Sequence, residues 1–429
     1  VTKGPSTWVG SLDLDDDRPA AGVLGPPRAD HCQARVLVRM HRAPLGFVWV
    51  AAAPQETLTA RVRTAAQTTL AQSLSRHAQW DSSASEPDAE AQWAAQVACP
   101  QRFPDHGAGV SVVICTRDRT AGLRESLRTL QRVSYHPLEI LVVDNAPTGD
   151  ATKAFVTALA RDDPRVRYTC EPRPGLSRAR NHGLTRARFD LVAFTDDDIL
   201  IDPDWPAAIA AGFAADPEAV CVTGLLISGS LDTSSERYFD ARYGWGDVFE
   251  PRRYDLTAHR QPSGLYPFRA GIFGTGANFA VRHSALAPVG NFDPLLGAGA
   301  PGRGGEDLDM LLRIILANGR ICYLPSALVW HLYGEETRPL REQIYSYGHG
   351  LGAYLAKHVP NRDLQTALIR HGLRQVGVVL GRAQRAAQVS HLETGSKRLM
   401  LTEARGVLAG ALHYWRAAHQ VTESSAGVR

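Results

Sequence analysis

The segment Phe189-Asp190-Leu191-Val192-Ala193-Phe194-Thr195-Asp196-Asp197-Asp198-Ile199 constrains this chain most. An apolar run ending in three consecutive carboxylates fits a buried parallel strand that stops where its ligand begins, because Asp is a poor strand former and clustered anions repel one another. Something must neutralise the cluster. A divalent cation with oxygen ligands and the side chains of Arg or Lys are both candidates, and a solvated acidic turn is the bland alternative. The preceding apolar strand favours a ligand site.

The surrounding sequence places that strand in a larger pattern. From Gly109 onward, strands alternate with amphipathic helices, as expected for a doubly wound, mostly parallel α/β sheet. Val110–Thr116 and Leu138–Asp144 read as buried strands, Gly149–Arg161 as a helix, Val166–Tyr168 as a short strand and Leu176–Arg188 as a helix leading into the acidic strand. Asp144 and Asp196–Asp198 therefore share the carboxyl-end rim, where open α/β sheets bind ligands. A helix is expected with Trp205, Ile209 and Phe213 on one face, followed by a strand at Ala219–Thr223. Residues 228–270 read as an irregular aromatic excursion, fitting either a substrate-facing loop or a packed flap. Gly271–Arg282 reads as a glycine-punctuated strand with a packing kink, and Glu306–Gly319 as a helix with acidic residues in its first turn. Strands at Arg320–Leu324 and Ala327–Trp330 then deliver His331.

A chain of 429 residues exceeds one typical domain. Three regions are expected: an N-terminal α+β unit with its linker over 1–105, a catalytic domain over 106–335 and a helical region over 336–429. In the first, strands Ala34–Met40 and Gly46–Val50 flank a turn at Ala43–Leu45, Thr57–Ala78 forms a helix, Asp81–Asp88 forms a linker, and Asp13 and Asp15–Asp17 lie in a solvated loop. In the last, helices are expected at Leu340–His358, Asp363–Arg382 and Lys397–His419; their basic faces fit solvent, peripheral membrane contact or self-association. A net charge of +3 with 21% charged residues gives no reason to expect nucleic acid as a partner. The six cysteines contain no CxxC pair, no secretory signal opens the chain and no apolar run reaches membrane-spanning length. Together these features suggest a cytoplasmic location.

The order of motifs resembles the family 2 glycosyltransferases, inverting, nucleotide-sugar-dependent enzymes of the GT-A fold. The resemblance is carried by Ser111–Arg119, Ile140–Asn145, Pro174–Asn181, Phe194–Asp198, Gly305–Asp307 and His331. It implies a divalent metal, Mn²⁺ or Mg²⁺, held by Asp196, Asp198 and His331. It also implies contacts of Thr116, Arg117, Arg119, Asp144, Arg180, Asp196 and Asp197 with a UDP-, dTDP- or GDP-sugar donor. Asp307 is expected to act as catalytic base and Glu306 to orient or bind a hydroxyl acceptor, which could be a glycan, a lipid-linked molecule or a small molecule. Asp309, about 200° around the helix from Asp307, should face away. The sequence departs from the family pattern in two places. Asn145 stands where a second acidic residue is common, and Gly305 where an aromatic residue often precedes Glu-Asp.

Two other readings compete. A sugar nucleotidyltransferase would carry a Gly-rich, basic phosphate loop after the first strand, where this chain has Arg117-Asp118-Arg119-Thr120. A nucleotide- or glycan-binding module without turnover would have no need of the Glu306-Asp307 pair.

Overall fold

The computed structural model describes residues 6–82, 88–104, 106–244, 246–332, 340–390 and 396–426. The N-terminal part contains strands β1 (Ser6–Asp13), β2 (Ala21–Gly22), β3 (His31–Met40) and β4 (Ala43–Ala51), then helices α1 (Gln55–Thr69), α2 (Ala71–Ser82) and α3 (Ala89–Ala98). Its four strands pair in the order β2-β1-β3-β4. One sheet face packs Trp8, Leu12, Val36 and Val38 against Leu58 and Val62 of α1. On the other, Val9 and Leu37 join Leu200, Leu225, Leu328 and Trp330 of the larger sheet.

Several local expectations shift. The β3–β4 turn falls at His41-Arg42, both in the left-handed region with φ of 52° and 69°, and the strand begins at Ala43, where the turn was expected. The helix expected over Thr57–Ala78 breaks at Leu70 into α1 and α2. Most of the expected Asp81–Asp88 linker lies outside the described residues. Strand β1 and helix α3 went unanticipated, and Trp93 and Val97 of α3 pack within the core of the larger sheet.

That sheet is built from β5 (His106–Thr116), α4 (Thr120–Leu130), β6 (His136–Asn145), α5 (Ala151–Asp162), β7 (Val166–Glu171), α6 (Leu176–Arg186), β8 (Leu191–Asp196), β9 (Ile199–Ile201), α7 (Trp205–Ala215) and β10 (Ala219–Ser228). Next come α8 (Ser234–Tyr243), β11 (Arg252–Tyr254), β12 (Phe279–Arg282), α9 (Glu306–Leu316) and β13 (Arg320–His331). The strand order is β11-β13-β10-β12-β8-β5-β6-β7, with β9 paired to β13. Strands β7, β6, β5 and β8 are mutually parallel, as are β10 and β13, whereas β12 runs antiparallel between β8 and β10. The expected mixed α/β architecture, with its mostly parallel sheet, N-terminal α+β unit and C-terminal helices, is present.

The excursion at 228–270 contains an ordered helix, α8, whose start carries a reciprocal capping box between Thr233 and Glu236. The strand expected over Gly271–Arg282 is regular only from Phe279, because the preceding glycines serve a short helical turn and a tight bridge. The two strands expected around Pro325 are one, β13, with a register shift against β10.

The C-terminal region comprises α10 (Leu340–His358), α11 (Arg362–Val389) and α12 (Ser396–Ala426). Glycines let α10 and α12 touch backbone to backbone: a Cβ on Gly352 would lie 1.9 Å from the Val407 carbonyl oxygen, and one on Gly410 at 1.9 Å from that of His349. Helix α12 turns Leu408, Leu412 and Trp415 outward among its basic residues, so its outer face is partly apolar. Among the described residues no helix is long and apolar enough to cross a membrane.

Candidate active site

Strand order sets the site's position. The chain passes from β5 to β6 and β7 on one side and returns through β8 on the other, so the crevice beyond the carboxyl ends of β5 and β8 is a topological switch point. Cys115 there pairs in register with Asp196. The chain then turns through Asp197 and Asp198 into β9, which pairs antiparallel with the end of β13 and sets Ile199 opposite His331. His331 Nε2 lies 3.6 Å from Asp198 Oδ1, and the Leu332 N–H donates to the Asp198 carbonyl at 2.8 Å.

The three aspartates play different parts. Asp197 is buried and accepts hydrogen bonds from Thr116 Oγ1 at 2.6 Å and Arg119 Nη1 at 2.5 Å. Arg119 also donates to Asp198 Oδ2 at 2.9 Å, so its guanidinium serves as an internal counter-ion to the cluster. Asp196 faces Arg180, 3.5 Å away. Burial and the neighbouring carboxylates outweigh these cations and raise Asp196 to about 7; burial likewise raises Asp197 to about 6.

Arg180, from α6, joins the two acidic groups of the site. Its Nη1 donates to Glu306 Oε1 at 2.9 Å and its Nη2 to the Gly276 carbonyl at 2.9 Å, with the guanidinium enclosed by Phe194, Phe279 and Phe292. Glu306 is thus buried in an ion pair. Asp307, the next residue of α9, is instead held by backbone: Gly276 N–H donates to Oδ2 at 2.7 Å and Leu308 N–H to Oδ1 at 2.8 Å. Asp309, fully buried, faces the opposite way, as expected, and pairs with Arg313 (2.9 Å), Lys357 (2.8 Å) and His358 (3.0 Å). It does more than complement a helix terminus, because it ties α9 to α10.

The other expected residues are placed as follows. Asp144, next to last in β6, is in register with Thr116, is fully buried, accepts a hydrogen bond from Tyr168 at 3.0 Å and is raised by burial. Arg117 points toward solvent beside Asp118, at 3.8 Å. Burial holds Cys115 up at about 12, so it stays a thiol and is no nucleophile. Burial also lowers His331, leaving a neutral imidazole suited to ligation.

Both sequence departures have structural causes. Asn145 accepts from the Gly175 N–H and donates to the carbonyls of Glu171 and Arg173, fixing the loop that launches α6 and hence Arg180. Gly305 has a φ of 80°, and a Cβ there would meet the Gly350 carbonyl oxygen of α10 at 2.6 Å. No aromatic side chain fits.

Two contributors escaped the sequence reading. Gly276 lies in the stretch whose glycines read as a packing kink, yet its bare Cα allows the Asp307 contact. Tyr347 of α10 packs on Tyr243 at 4.9 Å; burial of its hydroxyl and the charges of Asp198, Asp307 and Asp196 raise its pKa, although 41% of the residue is exposed. A cavity of about 580 Å³ opens among Phe103, Tyr135 and Phe189 at the opposite end of the sheet, away from the acidic rim.

The comparisons with known proteins assign this chain to the glycosyltransferases. Residues 111–284, the part of the chain that runs from within β5 through β12, match the family described as Glycosyl transferase family 2. The chain is 26% identical over 345 residues to a pre-mycofactocin glycosyltransferase of Mycobacterium tuberculosis, covering 74% of this chain and 67% of that one. It is 28% identical over 138 residues to a glucosyl-dolichyl phosphate glucuronosyltransferase of Haloferax volcanii, covering 32% of this chain and 44% of that one. Among solved structures, a mannosyltransferase from Pyrobaculum calidifontis in complex with GDP-Man and Mn²⁺ aligns with 17% identity and a TM-score of 0.46, covering 80% of this chain and 97% of that one.

Proposed function

We propose that the protein is an inverting glycosyltransferase that moves a sugar from a nucleoside-diphosphate donor to a hydroxyl acceptor with the help of a divalent metal. The observation that carries this reading is the convergence of Asp196, Asp198, His331 and Asp307 on one sheet rim.

The residues suit a metal. Among the described residues, five carboxylates, Asp196, Asp197, Asp198, Glu306 and Asp307, face only Arg119 and Arg180 as paired guanidiniums. Asp198 Oδ1 is buried with no hydrogen-bond partner among the described residues, and it faces the His331 ring. Asp196, Asp198 and His331 would hold the ion, an oxygen-rich donor set suited to Mn²⁺ or Mg²⁺. When bound, such an ion offsets diphosphate charge and stabilises the leaving group. Thr116 and Arg119 position Asp197 and thereby the turn carrying Asp198, and Asp144 accepts from a base N–H at the adjacent strand end.

Asp307 is the base in this reading. The two backbone donors fix its carboxylate while leaving each oxygen a lone pair for the proton of an acceptor hydroxyl, which attacks the anomeric carbon opposite the diphosphate. Glu306 holds Arg180, and through it Asp196.

A cavity of about 420 Å³ beside Gly274 and Thr275 supplies an acceptor site, lined by Tyr243, Tyr254, Tyr323, Arg252, Arg269 and Arg382 among others. Its arginines favour an acceptor bearing a carboxylate or phosphate. Product analysis tests the core of the reading: a nucleoside diphosphate and a glycosylated acceptor should form together, dependent on Mn²⁺ or Mg²⁺. Pyrophosphate release would point to a nucleotidyltransferase and no turnover to a binding module.

A further inference from the structure

Away from the acidic rim, three side chains with metal-ligating atoms meet where the N-terminal unit joins the larger sheet. They are His41 at the β3–β4 turn, His77 in α2 and Cys99 just after α3, and one ligand atom of each lies within 4.8 Å of the others. His77 and Cys99 are 2% and 1% exposed. His41 Nδ1 and His77 Nε2 face each other at 3.2 Å, and the Asp15 carboxylate lies 3.7 Å from the other ring nitrogen, His41 Nε2.

The geometry points to a Zn²⁺ site formed by His41 Nδ1, His77 Nε2 and the Cys99 thiolate, with water as fourth ligand, that ties the β3–β4 turn and α2 to the end of α3, the helix that packs in the core of the larger sheet. Tetrahedral Zn²⁺ with Zn–N of about 2.0–2.1 Å sets two ligating nitrogens about 3.3 Å apart, close to the separation already present. Bringing the thiolate in requires a contraction of about 1 Å, within reach of one side-chain adjustment. A thiolate with two imidazoles selects Zn²⁺ over the oxygen-seeking Mg²⁺ and Mn²⁺, so this site and the rim would load different metals. Asp15 is placed to hold a proton on His41 Nε2, which directs the Nδ1 lone pair toward His77 and the metal. Binding transfers the Cys99 thiol proton to solvent.

The three ligands come from three different elements of the N-terminal unit, the β3–β4 turn, α2 and the end of α3. The adjacent Arg42 already bridges the same junction, donating to Asp204 Oδ1 at 2.8 Å and to the Pro100 carbonyl at 3.1 Å. The alternative is a plain His–His hydrogen bond beside an inert buried thiol.

Metal analysis and Co²⁺ titration of the full chain, first stripped with chelator, distinguish the two. The expected result is one equivalent of Zn²⁺ that Mn²⁺ does not displace, a thiolate-to-cobalt charge-transfer band on Co²⁺ loading, and a melting temperature raised by Zn²⁺. Cys99→Ser should abolish the band and His77→Gln the stoichiometric binding, whereas Asp198→Ala should keep both. If either of the first two variants fails to fold, the wild-type cobalt spectrum decides. Absence of the band, or Zn²⁺ binding unchanged in both folded variants, overturns the site.

Discussion

The Gly276 N–H donates to Asp307 Oδ2 at 2.7 Å, and a Cβ at position 276 would lie 2.9 Å from that same oxygen. A glycine is therefore required for the carboxylate to sit where it does. Gly276→Ala must displace Asp307, and a misplacement of about 1 Å costs on the order of 10²-fold in turnover. Steady-state kinetics should show that loss with donor affinity intact, and near-normal turnover would remove Asp307 from the chemistry.

The adjacent carboxylates should respond differently to neutralisation. Asp307→Asn keeps the side chain's size and removes the proton acceptor, so transfer should fall by about 10²–10⁴-fold with the fold preserved. Glu306→Gln leaves the buried Arg180 without its nearest counter-charge, and breaking such a pair costs about 3–5 kcal/mol, with Asp196 at 3.5 Å softening the loss. It should show first as a lowered melting temperature. A Glu306→Gln variant that melts normally but does not transfer would make Glu306 the base.

At the rim, Asp198→Ala should abolish Mn²⁺-linked nucleotide binding by calorimetry, and His331→Ala should weaken it with the fold unchanged. The pH dependence has a definite sign. Because Asp196 is raised to about 7, its protonated form stabilises the metal-free fold fully below pH 4, and that contribution is lost as pH rises through 7. Metal must displace this proton, so Mn²⁺ affinity and the thermal shift it causes should grow from pH 6 to pH 8. A flat profile would remove Asp196 from the metal site.

Much of this site was legible because its chemistry sits at strand ends. Runs such as Leu191–Phe194 announce a buried strand by composition, and the carboxylates after them mark its carboxyl end. Contacts across the chain were not legible. Nothing near Arg180 in sequence indicates that Glu306 will claim it. The Gly276 contact depends on a bend whose purpose lies on α9, and Tyr347 belongs to α10, a helix outside the sheet pattern. Local pattern also misplaced the β3–β4 turn: Ala-Pro-Leu looked turn-like, but the two left-handed residues are His41 and Arg42, types that carry no strong turn signal.

Asp309 offers a test of stability separate from catalysis. Burial alone would raise its carboxyl, but the hydrogen bond from His358 and the charges of Arg313 and Lys357 outweigh burial and hold it at about 2. A depressed carboxyl contributes stability that is present above pH 4 and lost as pH falls through 2. Asp309→Asn should lower the melting temperature at neutral pH, by the equivalent of about 3–5 kcal/mol, and the gap to wild type should close as pH falls below 4. A gap independent of pH would mean that packing, and not charge, dominates there.

The acceptor cavity makes the last prediction. Burial and then the charge of Arg382 lower the pKa of Arg269, which marks two cations facing one space. Asp247 lines the same cavity and offsets part of the charge of Arg382, but Arg252, Arg269 and Arg382 outnumber it, so a carboxylate- or phosphate-bearing acceptor gains while a neutral one does not. Arg269→Gln should therefore raise KM for an anionic acceptor by about 10-fold, the equivalent of roughly 1.4 kcal/mol, while kcat and donor KM stay near wild type. Added salt should raise the wild-type acceptor KM and affect the variant less, because screening acts on a charge the variant lacks. Removing the repulsion between Arg269 and Arg382 should also leave the variant no less stable than wild type. Equal KM values in the two proteins, or better turnover of a neutral analogue by wild type, would place the acceptor elsewhere.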